Sequence, residues 1–199
     1  MSSYGALRIH LVRHGESTWN VEGRVQGQTR HVPLTHLGVT QARDVAARLA
    51  AVPIHRLYTS DLVRAVQTAE HVAQAIGVDA RPDVRLRERS YGMLEGRPNH
   101  EVPMLGRHDG LPPGGETFGA VVRRVGGLLD ECIDEAARLG LDGIAMVTHG
   151  DSIRAALTWL GQHEDAGVLH HRPGNGSVTT ATVEAGRPER EPAAQRLSR

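Results

Sequence analysis

Leu7-Arg8-Ile9-His10-Leu11-Val12, followed directly by Arg13-His14-Gly15-Glu16, is the stretch whose reading decides the fold. The first six residues are short, apolar and β-branched in part, broken by His10 and ended by charge and glycine. That is the pattern of a buried strand. A strand that stops at Arg13-His14-Gly15 delivers a cation and an imidazole to the carboxyl edge of a sheet, where open α/β folds bind their ligands. Gly15 lets the backbone come close to whatever is bound there. Imidazole can act as a nucleophile, and guanidinium is the side chain best suited to gripping phosphate. The chemistry expected is phosphoryl transfer through a phosphohistidine.

Composition narrows the class. The 199 residues suffice for one domain with a sizeable core. Lys+Arg and Asp+Glu number 23 each, and this neutral balance argues against nucleic acid and against an anionic membrane as partners. With no signal peptide and no long apolar run, a soluble cytoplasmic protein is expected. Cys132 is the only cysteine, which excludes an internal disulfide, and it falls on the apolar face of a helical pattern. Of the 12 histidines none has a metal-ligand spacing on a helix; His10 and His14 are four apart but in a strand, and His170-His171 reads as a surface loop. No metal and no cofactor are expected. Aromatic residues are only 3%, so aliphatic side chains must fill the core.

Beyond the first strand, strand and helix patterns alternate. A helix is predicted from Thr35 to Ala51, with Val39, Ala42, Val45, Ala46 and Leu49 on one face and Pro53 ending it. His55–Thr59 reads as a second strand, followed by a helix capped by Ser60 or Asp61. That helix carries the stripe Leu62, Ala65, Val66, Ala69, Val72, Ala73 and Ile76, and stops at Gly77. Val78–Val84 is a short edge strand interrupted by Pro82. Pro98 to Gly115 reads as a loop, Glu116 to Leu139 as a long helix despite Gly119, Gly126 and Gly127, and Gly143–Thr148 as a core strand. A helix at Asp151–Leu160, with Ile153, Ala156, Leu157 and Leu160 inward, and a last strand at Ser177–Glu184 complete the pattern. The reading is α/β: a three-layer α/β/α sandwich with a mostly parallel central sheet, one domain over residues 1–184, and a polar, proline-bearing tail at 185–199 expected to be disordered.

Parallel strands joined by crossover helices share one carboxyl edge. Three junctions there carry ligand groups: Arg13-His14, Thr59-Ser60 with Arg64 one turn into the next helix, and Thr148-His149-Gly150. Each helix start adds unpaired N–H groups that favour an anion. Taken singly, His14 or His149 would more often be a structural histidine, Arg64 a solvated helix charge and Glu88 one surface carboxylate among many. Three equivalent junctions carrying the same chemistry reverse those odds.

These residues resemble the histidine phosphatase superfamily, also called the phosphoglycerate-mutase-like family, from about Leu7 to Glu184. The resemblance rests on Leu11 to Asn20 (LVRHGESTWN), Gly23-Arg24-Val25-Gln26-Gly27, Pro33-Leu34-Thr35 with Gly38 and Gln41-Ala42, Ser60 to Ala69, Leu86 to Gly96, and Val147-Thr148-His149-Gly150, in family order. It implies that His14 is the nucleophile that becomes phosphorylated. Arg13, Arg64 and His149 would bind the phosphoryl oxygens, and Glu88 would be general acid and base. Asn20, Gln26, Gly27 and Gly150 would be substrate-binding. The implied activity is a metal-independent phosphomonoesterase acting on a small phosphorylated metabolite. A cofactor-dependent phosphoglycerate or sugar-phosphate mutase is the alternative, and a non-catalytic phospho-ligand binder a more distant one. Against the mutase, position 99, eleven residues after Glu88, is Asn where family mutases usually have Lys. The loop after Pro98 holds only Arg107 as a fixed cation, and Arg123-Arg124 lies in a predicted helix. Thr29-Arg30-His31 replaces a segment that often carries Asp, which points to an unusual substrate preference. Association with further copies of the chain stays open, and neither the physiological substrate nor the oligomeric state has a readable code.

Overall fold

The opening apolar run forms β1 (Ala6–Arg13), second from one edge of a five-stranded sheet. The computed structural model describes residues 5–102, 113–162 and 173–184. Arg107, His170-His171 and the tail at 185–199 therefore lie outside the described residues, as does most of the expected loop after Pro98. Along the chain follow α1 (Thr18–Val21), α2 (His36–Leu49), β2 (Arg56–Thr59), α3 (Val63–Ile76), β3 (Ala80–Pro82), α4 (Phe118–Leu139), β4 (Gly143–Thr148), α5 (Gly150–Leu160) and β5 (Val178–Glu184). Short 3-10 turns occupy 84–86, 92–94 and 99–101.

The sheet order is β3-β2-β4-β1-β5. β1, β2, β3 and β4 run parallel, and β5 closes the edge antiparallel to β1. Alternation along the strands splits the core into two layers. Leu7, Ile9, Leu11, Ile144 and Met146 pack under α4 and α5, while Val12, Leu57, Ala145 and Val147 pack under α2 and α3. The architecture is the expected α/β/α sandwich. Cys132 is buried in the α4 layer as read. Gly126, an unfavourable residue within a helix, is explained by its neighbour: a Cβ there would stand 2.1 Å from the Trp159 ring of α5.

Boundaries shift where side chains have other work. α3 is not capped by Ser60 or Asp61; Leu62 is its N-cap, without a side-chain bond. The Ser60 hydroxyl is taken up at His149, and the Asp61 carboxylate is drawn to Arg87. The buried stripe of α3 includes Arg64 and Thr68 as well as Ala65, Ala69 and Val72, so this face buries polar groups toward one end of the sheet. α4 starts two residues later than expected because Thr117 is its N-cap, accepting from the Ala120 N–H at 3.1 Å. Glu116 is thereby left outside the helix. Gly77 ends α3 in the left-handed conformation, as its position suggested.

Candidate active site

β1 and β4 end in register, with Arg13 opposite Thr148, and the His14 N–H donates to the Thr148 carbonyl at 3.0 Å. The chain then turns at Gly15, which has no room for a side chain: a Cβ there would lie 2.3 Å from the Gly38 carbonyl oxygen. The Gly15 N–H donates to the Thr68 hydroxyl at 3.1 Å, and that hydroxyl donates to the Arg64 carbonyl at 2.8 Å. This frame fixes the His14 ring, which is 2% exposed. His14 Nδ1 lies 2.7 Å from the Gly15 carbonyl oxygen. A carbonyl oxygen only accepts, so Nδ1 carries the proton and Nε2 keeps its lone pair. Burial, then the charges of Arg64 and Arg13, holds the His14 pKa well below the ordinary value. The ring is neutral at neutral pH.

Around it stand the other strand-end groups. Arg64 is fully buried on α3 and donates to the Gly27 carbonyl at 2.8 Å and the Thr29 carbonyl at 3.0 Å. Burial lowers its pKa to about 10, so it remains a cation. Arg13 donates to the Pro173 carbonyl. His149 is the N-cap residue of α5; its ring lies 5.0 Å from that of His14, and its Nε2 is 2.9 Å from the Ser60 hydroxyl. Burial and the nearby Arg64 hold its pKa well below the ordinary value. His149 is therefore neutral, not an imidazolium, in the ligand-free protein. Arg13 Nε, Arg64 Nε and His149 Nδ1 are buried with no hydrogen-bond partner among the described residues. Buried unpaired polar groups of this kind are costly, and an anion would satisfy them.

Glu88 reaches the same place without a strand. Its Oε1 accepts from the Arg89 N–H at 2.9 Å and the Asp151 N–H at 3.1 Å. Its backbone is held from α4: Arg124 donates to the Arg85, Arg87 and Glu88 carbonyls at 2.6, 2.7 and 3.0 Å and grips both oxygens of Glu116. The Gln28 amide joins the Glu88 carbonyl to Glu116, each at 3.1 Å. Burial, then the Asp151 charge, pushes the Glu88 pKa up to about 7, with Arg64 and Arg13 partly opposing. A carboxyl in this range holds a proton it can give up. Gly150 opens α5 alongside, and a Cβ there would lie at an ordinary contact of 3.7 Å from Glu88 Oε2.

The remaining expected residues line the frame. Asn20 closes a capping box on α1 with Ser17, and its Oδ1 accepts from Asn175 at 3.1 Å. Gln26 accepts from the Ser17 hydroxyl at 2.8 Å. Gly27 reaches the site through its carbonyl, and at φ +47° it passes so close to Glu95 that a Cβ would meet that carboxylate at 2.2 Å. Sequence reasoning missed Asn175, whose amide donates to the His14 carbonyl at 3.2 Å, and also Ser60, Thr68, Asp151, Glu116 and Arg124 as supports. Gly174-Asn175-Gly176, two residues before β5, was the available sign of a close backbone approach. Among the described residues, no three His, Cys, Asp or Glu side chains are grouped to hold a metal ion, and no helix is long and apolar enough to cross a membrane.

Two histidines, two arginines and a glutamate with a raised pKa thus meet at the carboxyl edge of the four parallel strands. The chain belongs to the histidine phosphatase superfamily (branch 1), whose family model matches residues 9–192. A protein of Cronobacter sakazakii named "Probable phosphoglycerate mutase GpmB" is 42% identical over 138 residues, and the match covers 64% of each chain. The chain thus matches less than two thirds of the length of such relatives. Its namesake from Yersinia enterocolitica is 37% identical over 164 residues, covering 77% of this chain and 74% of the relative. Among solved structures, mycobacterial glucosyl-3-phosphoglycerate phosphatase Rv2419c superposes with a TM-score of 0.79 at 30% identity, over 89% of this chain and 90% of that one. A phosphoglycerate mutase from Bacillus anthracis shares the fold at a TM-score of 0.78 and 23% identity, over 93% of this chain and 91% of that one.

Proposed function

We propose that this protein is a phosphomonoester hydrolase that acts on a small phosphorylated metabolite through a phosphohistidine at His14. The observation that carries the reading is the Nδ1–H bond from His14 to the Gly15 carbonyl, which leaves Nε2 as an unprotonated nucleophile among buried cations. Nε2 attacks phosphorus as the ester oxygen leaves. Arg13, Arg64 and the Nδ1–H of a neutral His149 hold the charge spread over the three transferring oxygens. Glu88, protonated as substrate binds, gives its proton to the leaving oxygen. The Glu88 carboxylate then takes a proton from water as that water attacks the phosphohistidine, and inorganic phosphate departs. The arginines supply the positive charge, so activity is expected to survive dialysis against a strong chelator. Loss on chelation with rescue by a divalent ion would contradict this.

A mutase is the second reading, favoured by the names of relatives 37–42% identical to this chain. Against it, Arg124 is already spent on three backbone carbonyls and Glu116, and position 99 is an exposed Asn. Incubation with 3-phosphoglycerate separates the two: the hydrolase releases phosphate without forming 2-phosphoglycerate, and the mutase does the reverse. Glu88→Gln tests the proton donor. Phosphorylation by phenyl phosphate, whose phenolate is basic, should slow by about 10²–10⁴-fold, and by 4-nitrophenyl phosphate far less. Equal losses would show that Glu88 is not the acid.

A further inference from the structure

A carboxamide has an oxygen that accepts and a nitrogen that donates, and only the nitrogen can bond a phosphoryl oxygen. Which end Asn20 presents is therefore decisive for its expected role. The Ser17 N–H donates to Asn20 Oδ1 at 3.0 Å. A main-chain N–H only donates, so the Asn20 atom facing it is the oxygen. The Ser17 hydroxyl has one proton for two acceptors, Asn20 Oδ1 at 2.9 Å and Gln26 at 2.8 Å. Asn20 Nδ2 is left with no hydrogen bond among the described residues.

The remaining donor to that oxygen is Asn175. Its Nδ2 lies 3.1 Å from Asn20 Oδ1, 3.2 Å from the His14 carbonyl and 3.4 Å from the Gly15 carbonyl. Carbonyl oxygens only accept, so the Asn175 atom among them is the amide nitrogen. Its two protons serve the turn behind the nucleophile and the Asn20 side chain at once. The Gly15 carbonyl also accepts the His14 Nδ1–H at 2.7 Å, so a single chain of hydrogen bonds runs from Asn20 to the nucleophile. Asn175 is itself fixed by main chain. The Gly176 N–H donates to the Arg13 and His14 carbonyls at 3.2 Å each, and the Arg13 N–H to the Ser177 carbonyl at 3.0 Å. Arg48 of α2 donates to the Gly176 carbonyl at 2.8 Å. Gly176 has φ +66°, and a Cβ there would stand 2.8 Å from Gln41 Cβ, so the loop sits tightly against its surroundings.

Building on the reading of Asn20 as a phosphate ligand, we propose that Asn175 is a positioning residue that holds the Asn20 carboxamide by its oxygen, leaving Nδ2 free to donate to a phosphoryl oxygen. Asn175 touches no reacting atom and acts on phosphate only through Asn20. Without its amide, Asn20 Oδ1 keeps its bonds to Ser17 alone, and the carboxamide is free to turn.

The test is a double-mutant cycle read as the Ki of inorganic phosphate, a competitive inhibitor of 4-nitrophenyl phosphate turnover, in wild type, Asn20→Ala, Asn175→Ala and the double variant. Asn20→Ala should raise Ki by about 10–100-fold, the worth of a hydrogen bond to a charged group. Asn175→Ala should raise it by about 3–10-fold, the worth of a neutral hydrogen bond. In the Asn20→Ala background Asn175→Ala should add nothing. A residue that merely stiffened the turn at Gly15 would act in either background, so effects that multiply would overturn the inference. So would an Asn175→Ala Ki equal to that of wild type beside a raised Asn20→Ala Ki. A Ki unmoved by Asn20→Ala would remove Asn20 as a phosphate ligand, and this inference with it. Wild type that neither turns over 4-nitrophenyl phosphate nor binds phosphate would remove the functional reading itself. If Asn175→Ala does not fold, Asn175→Ser keeps a hydroxyl for the turn carbonyls but shortens the reach to Asn20, and it is read in the same cycle.

Discussion

Arg13, His14 and His149 stand where paired parallel strands end, whereas Glu88 sits on a segment with no strand, fastened from behind by Arg124, Glu116 and Gln28. The first region is positioned by main-chain hydrogen bonds that form whenever the sheet forms. The second is positioned by a few side chains, with one guanidinium on three successive loop carbonyls. A site assembled from both kinds of support should fail in two distinguishable ways. Damage to the strand-end region should weaken the hold on phosphate whatever the leaving group. Damage to the Glu88 support should appear as a dependence on leaving-group basicity.

Arg124→Gln gives the larger expected effect. It removes most of the bonds that hold the Glu88 segment, so phosphorylation by phenyl phosphate should fall by about 10²–10⁴-fold, approaching the full worth of the general acid. With 4-nitrophenyl phosphate the loss should be much smaller. A uniform loss for both would mean that Arg124 supports the whole site and that the two regions are not separable. Arg64→Lys is the counterpart in the first region. Lysine keeps the charge but lacks the fork that spans the Gly27 and Thr29 carbonyls. Here kcat/KM should drop by about 10²–10³-fold for both esters alike. A loss that depends on the leaving group would erase the distinction.

The smallest effect is on stability. His14 and His149 have folded pKa values far below 6.5, so as pH falls the unfolded chain takes up protons that the folded protein refuses. Stability is full above 6.5 and is lost as pH falls below it, by at most about 1.4 kcal/mol per pH unit for each histidine. Glu88 has the opposite sign: its pKa is raised from 4.5 to about 7, so its contribution is full below 4.5 and lost as pH rises through 7. In phosphate-free buffer, Tm should therefore fall from pH 7 to 5, and fall more steeply in Glu88→Gln. A Tm that rises over this range would mean that the histidines are charged in the folded protein.

The same contrast explains what could be read from the sequence. β4 was legible to the residue, and the three strand ends followed from parallel topology, because period-2 burial and crossover connections are local patterns. The antiparallel sense of β5 and the cap of α3 were not, since each depends on partners far along the chain. Glu88 was reached only through its motif. Nothing local in 86–96 says that Arg124 and Gln28, 36 and 60 residues away, will grip its carbonyl. For the same reason the sequence placed Arg124 in a helix, away from a substrate role, without showing that it is a fastening. Asp151 was hidden inside a helix start, two residues past His149.

Chemical trapping of the phosphoenzyme tests the central claim most directly. Wild type mixed with radiolabelled 4-nitrophenyl phosphate and quenched within milliseconds should carry label that is lost in acid, survives base, and maps to His14. His14→Ala, with an unchanged Tm profile at pH 7.5, should carry none. Label that survives acid and is lost in base would place phosphate on a carboxylate such as Glu88, Glu95 or Glu16, and label retained in His14→Ala would contradict the assignment of His14 as nucleophile.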